Sequence, residues 1–581
     1  MAKRWRILPQ DGDRIAALAR AADISPVIAG LLLCRGISDP RLAREFLSPK
    51  LTALHDPNAL PGCTEAARRI QAAIDDGRRI VVYGDYDVDG ITGTALLLQC
   101  IRMLGGNVGY YVPHRIDEGY GLNHEAIESL AGDGAKLIIT VDCGICSVDE
   151  AATASRLGVE LIITDHHELG ERLPDAAAVV HPRLPGSSYP FGGLSGSGVA
   201  FKLAWALCQQ ASQAKRVSDR MRTFLLEATG LASLGTVADM VPLVDENRVL
   251  VTHGLVSLKQ RQTLGMAALM RSASLHEKSE LTSEDVAFSI GPRLNAAGRL
   301  GQAQLAVELL VTDRAERATE LADYLERLNA DRQTLERRIL LAAKKQAKSD
   351  FDPVADAALV LADEDWNPGV IGIVAGRIVE AFHRPVVMVA WDKFQTRPGV
   401  GSARGVPGFN LYEAIDACKD HLIGFGGHAA AAGLKIERRN IAAFREAFCD
   451  YAAAHIAEAD RTAEVRIDAE APLSAFTLQT VKQMEQLAPF GQGNLRPILC
   501  TSGVRLAEPP RPIGSGGHHL SLQLTQQTIR LRAVAFGAGD RAEELNNLTG
   551  PIDIAFKPVI NAFRGRQTVE LHLVDWKPGE A

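Results

Sequence analysis

Three short runs of apolar, mostly β-branched residues punctuate the first half of the chain: Ile80-Val81-Val82-Tyr83, Leu137-Ile138-Ile139-Thr140-Val141 and Leu161-Ile162-Ile163-Thr164. Short continuous runs separated by helix-length segments predict parallel strands covered on both faces. Strands and helices alternate from Thr64 to about Leu310, with a helix expected over Thr92 to Leu104. That alternation predicts a doubly wound parallel α/β sheet. Between Asp313 and Asp352 there is no Gly or Pro, and Leu321, Leu325, Leu328, Leu335 and Ile339 recur at helical spacing. A single connector helix of roughly 50 Å is expected there, ended by Pro353.

A second, smaller α/β unit follows from Ala357 to about Glu437, with strands over Ala358 to Leu361 and Val386 to Val389 flanking a helix from Gly369 to Phe382. It holds two glycine-rich stretches, 399–404 and 424–428. From about Val465 the pattern becomes short alternating strands (Leu520 to Leu524, Ile529 to Phe536, Ile552 to Val559, Thr568 to Val574), which predicts a small β-barrel. Short helices at Asp13 to Ala22, Ser25 to Cys34 and Pro40 to Phe46 read as a cap on the domain that follows. The expected domains are residues 1–60, 61–312, 313–352, 353–464 and 465–581.

Composition changes this picture little. A chain of 581 residues, 46% hydrophobic and 23% charged, describes an ordinary multidomain globular protein. The net charge of −7 rules out a generally basic surface, so any nucleic acid must be held by a local groove. The apolar run Val27 to Cys34 is too short to span a bilayer, and no secretory signal or membrane partner is expected. Nine scattered cysteines without a framework pattern fit a reducing cytoplasm. Cys143-Gly144-Ile145-Cys146 has the spacing of a redox pair but lacks the second pair that a zinc site needs.

The chemistry lies where the predicted strands end. In open α/β sheets, ligands bind beyond the carboxyl ends of the strands. There the chain carries Asp85, Asp87, Asp89, Asp142 and Asp165-His166-His167. Asp85, Asp87 and Asp89 alternate, so on a strand they would share one face; a solvated acidic turn is the bland alternative. Gly90 and Gly93 open a helix whose amino end favours phosphate. The Asp-x-Asp-x-Asp-Gly run is not a calcium loop, since a strand precedes it and no glutamate stands at the twelfth position. Asp239 sits in an apolar helix-like run, where an acid is costly unless paired or metal-bound. Oxygen-rich ligation with one imidazole suits Mn²⁺ or Mg²⁺ better than zinc. Two such ions would activate water at a phosphoryl centre, so the residues point to metal-dependent hydrolysis of a phosphate ester.

At Asp165-His166-His167 the chain resembles the DHH phosphoesterase superfamily, and more narrowly its RecJ family of bacterial single-strand-specific 5′→3′ exonucleases. Ser195 to Lys202, Gly291 to Leu300, Gly369 to Arg377, Gly426 to Gly433 and Pro489 to Asn494 also resemble stretches of that family, in order along nearly the whole chain. The resemblance implies a DHH domain, a DHH-associated domain and a C-terminal OB fold. It implies that Asp87, Asp89, Asp142, His166 and Asp239 hold two divalent ions, with Asp85 a further ligand and His167 close by. Asp142, His166, His167 and His428 would then be the catalytic group. By the same resemblance Arg115, Ser402 and Arg404 grip a terminal 5′-phosphate, and Arg293, Arg299 and Arg377 contact the strand backbone. For the barrel, Lys557, Phe563, Arg564 and Arg566 are the candidates for holding single-stranded DNA by stacking and charge. A single-strand-binding protein and a helicase are the partners the family implies. Two positions depart from the pattern: Asn367 stands where histidine is frequent, and Tyr83 replaces a histidine common before Gly84-Asp85.

Three functions compete at this point. The first is processive release of 5′-mononucleotides from single-stranded DNA in recombination and repair. The second is a phosphodiesterase for short oligonucleotides or cyclic dinucleotides, against which the connector helix and barrel argue. The third is a non-catalytic strand-binding scaffold, against which the full set of acids argues.

Overall fold

A computed structural model describes residues 3–579 apart from 115–117, 120, 215, 351, 353–355, 395, 458–460, 549 and 564. The chain opens with strand β1 (Arg4–Ile7) and helices α1 (Gly12–Ala22), α2 (Pro26–Leu33) and α3 (Pro40–Leu47). Asp11, Ser25 and Asp39 cap the three helices through their side-chain oxygens. This segment touches the following domain, with Arg248 donating to Phe46 O at 2.8 Å and His253 Nε2 3.0 Å from Pro49 O, but the apolar faces of its helices pack elsewhere. Leu18, Ile28, Leu31 and Leu32 are buried in one core with Leu473, Phe476, Leu520 and Phe556 of the C-terminal domain. β1 also pairs in parallel with β12 (Glu464–Ile467), a partner no local pattern reveals.

The first α/β unit runs α4 (Cys63–Asp75), β2 (Ile80–Gly84), α5 (Val88–Met103), β3 (Val108–Tyr111), α6 (His124–Gly132), β4 (Leu137–Val141), α7 (Val148–Arg156), β5 (Glu160–Thr164) and β6 (Ala178–Val180). All strand pairs are parallel, in the order β3-β2-β4-β5-β6. Separate apolar cores cover the two faces, one built on α4 and α5, the other on α6 and α7. The predicted doubly wound sheet is therefore present. Helices α8 (Gly196–Ser212), α9 (Asp219–Ala238) and α10 (Asp245–Gln260) extend the first of these cores.

The long helix spans Ala315–Asp350. Its first half buries Leu321 and Leu325 in the first unit's core, and its second half buries Ile339 and Ala343 against the next unit. That next unit has β7 (Leu359–Asp363), β8 (Val386–Ala390), β9 (Gly399–Arg404), β10 (Leu422–Gly427) and β11 (Ala431–Ile436), in the order β10-β11-β9-β8-β7. The glycine-rich stretches are thus strands. A side chain at Gly401 would meet Leu434 at 2.5 Å, so the packing of this sheet requires bare backbone there.

The C-terminal domain is a closed seven-stranded sheet, including three strands the pattern did not predict, the short β13 (Ala469–Glu470) and the strands β14 (Leu499–Leu506) and β15 (Arg511–Ile513). Its other strands are β16 (His519–Gln526), β17 (Ile529–Ala535), β18 (Ile552–Phe563) and β19 (Arg566–Pro578), and β14–β16 pairing closes it. Among the described residues no single helix is long and apolar enough to cross a membrane.

Candidate metal centre and nucleic-acid cleft

The acids gather at the carboxyl edge of the parallel sheet, but not on strands. β2 ends at Gly84, and α5 begins at Val88, earlier than the pattern suggested. Asp85 lies in the turn, Asp87 caps the helix by accepting from the amides of Asp89 (2.9 Å) and Gly90 (3.2 Å), and Asp89 belongs to its first turn. The alternation that looked like one face of a strand is a turn, a cap and a helical residue. The motif Gly291 to Leu300 braces this turn: Asn295 accepts from Val88 N at 3.2 Å, and Gly298 packs where a side chain would meet Tyr86 O at 2.1 Å.

Asp89 is buried with its carboxylate on the amino end of α8, accepting from Gly196 N (2.5 Å) and Ser197 N (3.0 Å). A helix amino end stabilises such a charge. This explains the Ser195-Gly196-Ser197 stretch, which the sequence marked without showing what it held. Gly196 and Gly235 make the approach possible, because side chains there would meet Asp142 Cβ at 2.5 Å and Asp89 Oδ1 at 2.2 Å.

Asp142 follows β4 with φ of 64°, in the left-handed region. Aspartate tolerates that region better than most side chains do. Asp239 is the residue that ends α9, at the negative end of the helix dipole. These groups converge on His166, whose Nε2 lies 3.1 Å from Asp142 Oδ1, 3.4 Å from Asp239 Oδ2 and 3.9 Å from Asp89 Oδ2. Three overlapping sets of donor atoms, Asp142–His166–His167, Asp89–His166–Asp239 and Asp85–Asp87–Asp142, each fall within 4.8 Å.

The electrostatics follow from crowding. Burial, then the charges of Asp89 and Asp87, push Asp142 well above the usual carboxylate range and Asp239 up to about 9. Asp87 is raised by burial and by Asp89. Burial lowers His166 to about 4, keeping the imidazole neutral and its lone pair available. Carboxylates in this state ionise together only when a cation joins them. The donor set, oxygen-rich with one neutral imidazole, fits Mn²⁺ or Mg²⁺.

Asp165 differs. Its carboxylate accepts from the amides of Ile145 (3.0 Å), His166 (2.7 Å) and His167 (3.1 Å) and from His167 Nδ1 (2.7 Å). Burial works against its charge, but the His167 hydrogen bond and these amides bring it down to about 2. In return His167 rises to about 9 despite burial.

The second unit faces this centre. Arg404 Nη1 donates to Ser402 Oγ (3.3 Å) and Ala403 O (2.7 Å), beside Gly372 in the first turn of the helix Ile371–Phe382. A side chain at Gly372 would meet Ser402 Oγ at 2.8 Å and Arg404 Nη2 at 3.0 Å. Arg299 Nη1 donates to Gly369 O at 3.2 Å, tying the two units together. His428 is exposed on the turn after β10, and its charge, after those of Arg183, helps lower Glu168, the residue following His167.

Three family models match the chain in order: the DHH family N-terminal domain over residues 79–229, the DHHA1 domain over 355–454 and the RecJ OB domain over 467–575. The single-stranded-DNA-specific exonuclease RecJ of Bacillus subtilis is 37% identical over 98% of this chain and 70% of its own length. The chain belongs to the RecJ family. The RecJ of Thermus thermophilus is 36% identical over 100% of this chain and 79% of its own. Crystal structures of Thermus thermophilus RecJ in complex with Mn²⁺ and with Mg²⁺ superpose with TM-scores of 0.83 and 0.77, at 34% and 33% identity. They match 100% of this chain and 80% and 79% of those chains.

Against this RecJ frame, the other predicted contacts divide. Arg293 is committed within the protein, to Glu326 of the long helix (2.5 Å) and Ser289 O (2.7 Å). Arg377 is half-exposed but paired with Glu336 at 2.6 Å. Lys557 is half-buried and lowered by desolvation and Arg496. Arg566 is exposed at the β18–β19 turn. Arg115, Arg564 and the side chain of Phe563 lie outside the described residues. The two departures are structural: Tyr83 is buried, donating to Gly121 O at 3.0 Å, and Asn367 accepts from Gly369 N at 2.8 Å. All nine cysteines are free, with Cys143 buried and Cys146 exposed. No local pattern signals the fully buried Lys202–Glu246 pair, to which Tyr189 also donates.

Proposed function

We propose that this chain is a single-strand-specific 5′→3′ DNA exonuclease that releases 5′-mononucleotides, acting in recombination and repair. The convergence of Asp89, Asp142 and Asp239 on His166 Nε2 within 3.1–3.9 Å carries this reading. Asp85, Asp87, Asp89, Asp142, His166 and Asp239 would hold two divalent cations, Mn²⁺ or Mg²⁺. Bound there, such ions lower the pKa of water and stabilise charge on the phosphoryl oxygens.

The protein's own groups set geometry and polarity. Arg404, Ser402 and the amino end of the helix Ile371–Phe382 grip the terminal 5′-phosphate, since arginine matches phosphate bidentately. The next phosphodiester then lies over the acids, and cleavage breaks its P–O3′ bond. The terminal nucleotide leaves with its original phosphate, and the strand keeps a new 5′-phosphate for the same pocket. His167, with Nδ1 committed to Asp165, offers its other nitrogen to a phosphate oxygen, and His428 approaches from the second unit. By the family resemblance Arg115 would join the terminal-phosphate pocket, and Arg299 would follow the strand backbone. Arg566, with Phe563 and Arg564, would hold it on the barrel. A cytoplasmic location and cooperation with a single-strand-binding protein and a helicase belong to this proposal.

The test uses long single strands labelled at either end, alone or as a blunt duplex, with Mn²⁺ or EDTA. Metal-dependent mononucleotide release from the 5′ end of the single strand alone is expected. Cleavage restricted to di- to tetranucleotides would favour the short-oligonucleotide phosphodiesterase, and binding without cleavage a scaffold.

A further inference from the structure

The run Pro489 to Asn494 belongs to the C-terminal domain, yet it docks on the backbone that follows Asp239. Gln492 O accepts from Leu243 N at 2.7 Å, and Phe490 O accepts from Ser283 Oγ at 2.5 Å. Gly491 and Gly493 lie so close that side chains there would meet Leu243 Cδ1 at 2.7 Å and Pro242 Cβ at 3.0 Å. Gly493 also has a φ of +71°.

The loop is itself rigidly held. Asn494 is buried and donates to Leu487 O (2.8 Å) and Pro489 O (2.9 Å), while its Oδ1 accepts from Arg35 Nε (2.9 Å). Arg248, at the start of α10, donates to Leu487 O (3.0 Å), Ala488 O (2.8 Å) and Phe46 O (2.8 Å). From the other side Asn247 Nδ2 donates to Pro242 O at 3.0 Å and to Gly193 O at 2.6 Å. The stretch 240–243 is therefore pinned between the first unit and the C-terminal domain. Met240 is held with φ of 60°, a conformation that a non-glycine residue keeps only where its surroundings impose it.

We propose that the loop Pro489 to Asn494 is a positioning element of the metal centre, setting the direction of the Asp239 carboxylate from across the domain boundary. The inference rests on the reading of Asp239 as a metal ligand given above. Supports one step removed from a ligand are commonly worth about 10–100-fold in metal affinity. The coupling is also reciprocal: whatever shifts the C-terminal domain shifts metal affinity, and metal binding restrains that domain.

The test measures Mn²⁺ binding to the full-length protein by electron paramagnetic resonance, the Mn²⁺ concentration giving half-maximal cleavage, and strand affinity in EDTA. Gly491→Ala, which wedges a methyl group against Leu243, is expected to weaken Mn²⁺ binding about ten-fold. Its kcat at saturating Mn²⁺ and its strand affinity in EDTA should stay within about two-fold of the parent. Ser283→Ala, which removes one hydrogen bond without inserting anything, should shift Mn²⁺ binding in the same direction by less, and serves if Gly491→Ala fails to fold. Unchanged Mn²⁺ binding in the folded variants, or lost activity that excess Mn²⁺ does not recover, would overturn the inference. Asp239→Ala separates the two claims. If it leaves Mn²⁺ binding intact, the ligand reading falls; if it weakens binding while the loop variants do not, only the positioning role falls.

Discussion

Strands β4 and β5 are neighbours with nearly the same sequence, and each ends in an aspartate at the same sheet edge. Asp142 and Asp165 nonetheless live in opposite environments. Asp165 faces three amides and an imidazolium and is held ionised at about 2. Asp142 is buried facing other acids and is pushed well above the usual range. A carboxylate already satisfied by the protein orients its neighbours; one left in excess negative charge awaits a cation. The chemical role of each acid is decided by what surrounds the strand end rather than by the strand.

Breaking each end separately should give different losses. Asp142→Asn is expected to reduce hydrolysis at least about 1,000-fold, the scale of several kcal/mol of charge stabilisation, while strand affinity in EDTA stays close to the parent. Near-parental cleavage would remove Asp142 from the centre. Asp165→Asn leaves the ligands in place but frees His167, so a smaller loss of about 10–100-fold is expected. The His167 imidazole, followed by NMR, should then titrate well below about 9. Arg404→Ala sharpens the contrast from the anion side. It should cut the preference for 5′-phosphorylated over 5′-hydroxyl ends by about ten-fold, roughly the worth of one charge-assisted hydrogen bond. An undiminished preference would show that the pocket lies elsewhere.

Stability should separate the two ends by sign. In EDTA, replacing Asp142 with Asn removes an acid whose ionisation the crowded site opposes and should raise the thermal midpoint by about 2 °C. Replacing Asp165 breaks a satisfied network and should lower it by a similar amount. The pH dependence follows the same logic. His167 has a folded value above its ordinary 6.5, so its contribution is full below 6.5 and is lost as pH rises through about 9. Asp239, raised to about 9 from 3.8, likewise favours the folded state less as pH rises across that interval. Asp165 contributes above 3.8 and loses that contribution as pH falls through about 2. The metal-free protein should therefore weaken between about pH 6.5 and 9. Saturating Mn²⁺ should oppose that decline, because its ligands bind deprotonated. Parallel curves with and without Mn²⁺ would contradict this.

Much of this was legible in the chain because parallel strands buried on both faces leave unbroken apolar runs, and residues past their ends announce a site. Local pattern failed where partners are distant in sequence. The alternation of Asp85, Asp87 and Asp89 fits a strand or a capped helix equally well, and only the amides of Asp89 and Gly90 decide for the cap. Arg293 looked available for a strand backbone until the long helix brought Glu326 to it. The N-terminal helices have apolar faces that name no partner, and their core lies more than four hundred residues away at Leu473 and Phe556. Pro489 to Asn494 stood out only as a stretch resembling the family, and nothing local shows that the bareness of Gly491 and Gly493 admits the chain that follows Asp239.

The most direct test of the account is the number of Mn²⁺ ions bound per chain, by electron paramagnetic resonance, in the parent protein and in Asp142→Asn. The account predicts two in the parent and at most one in the variant. No bound ion in the parent, or an unchanged number in the variant, would contradict it.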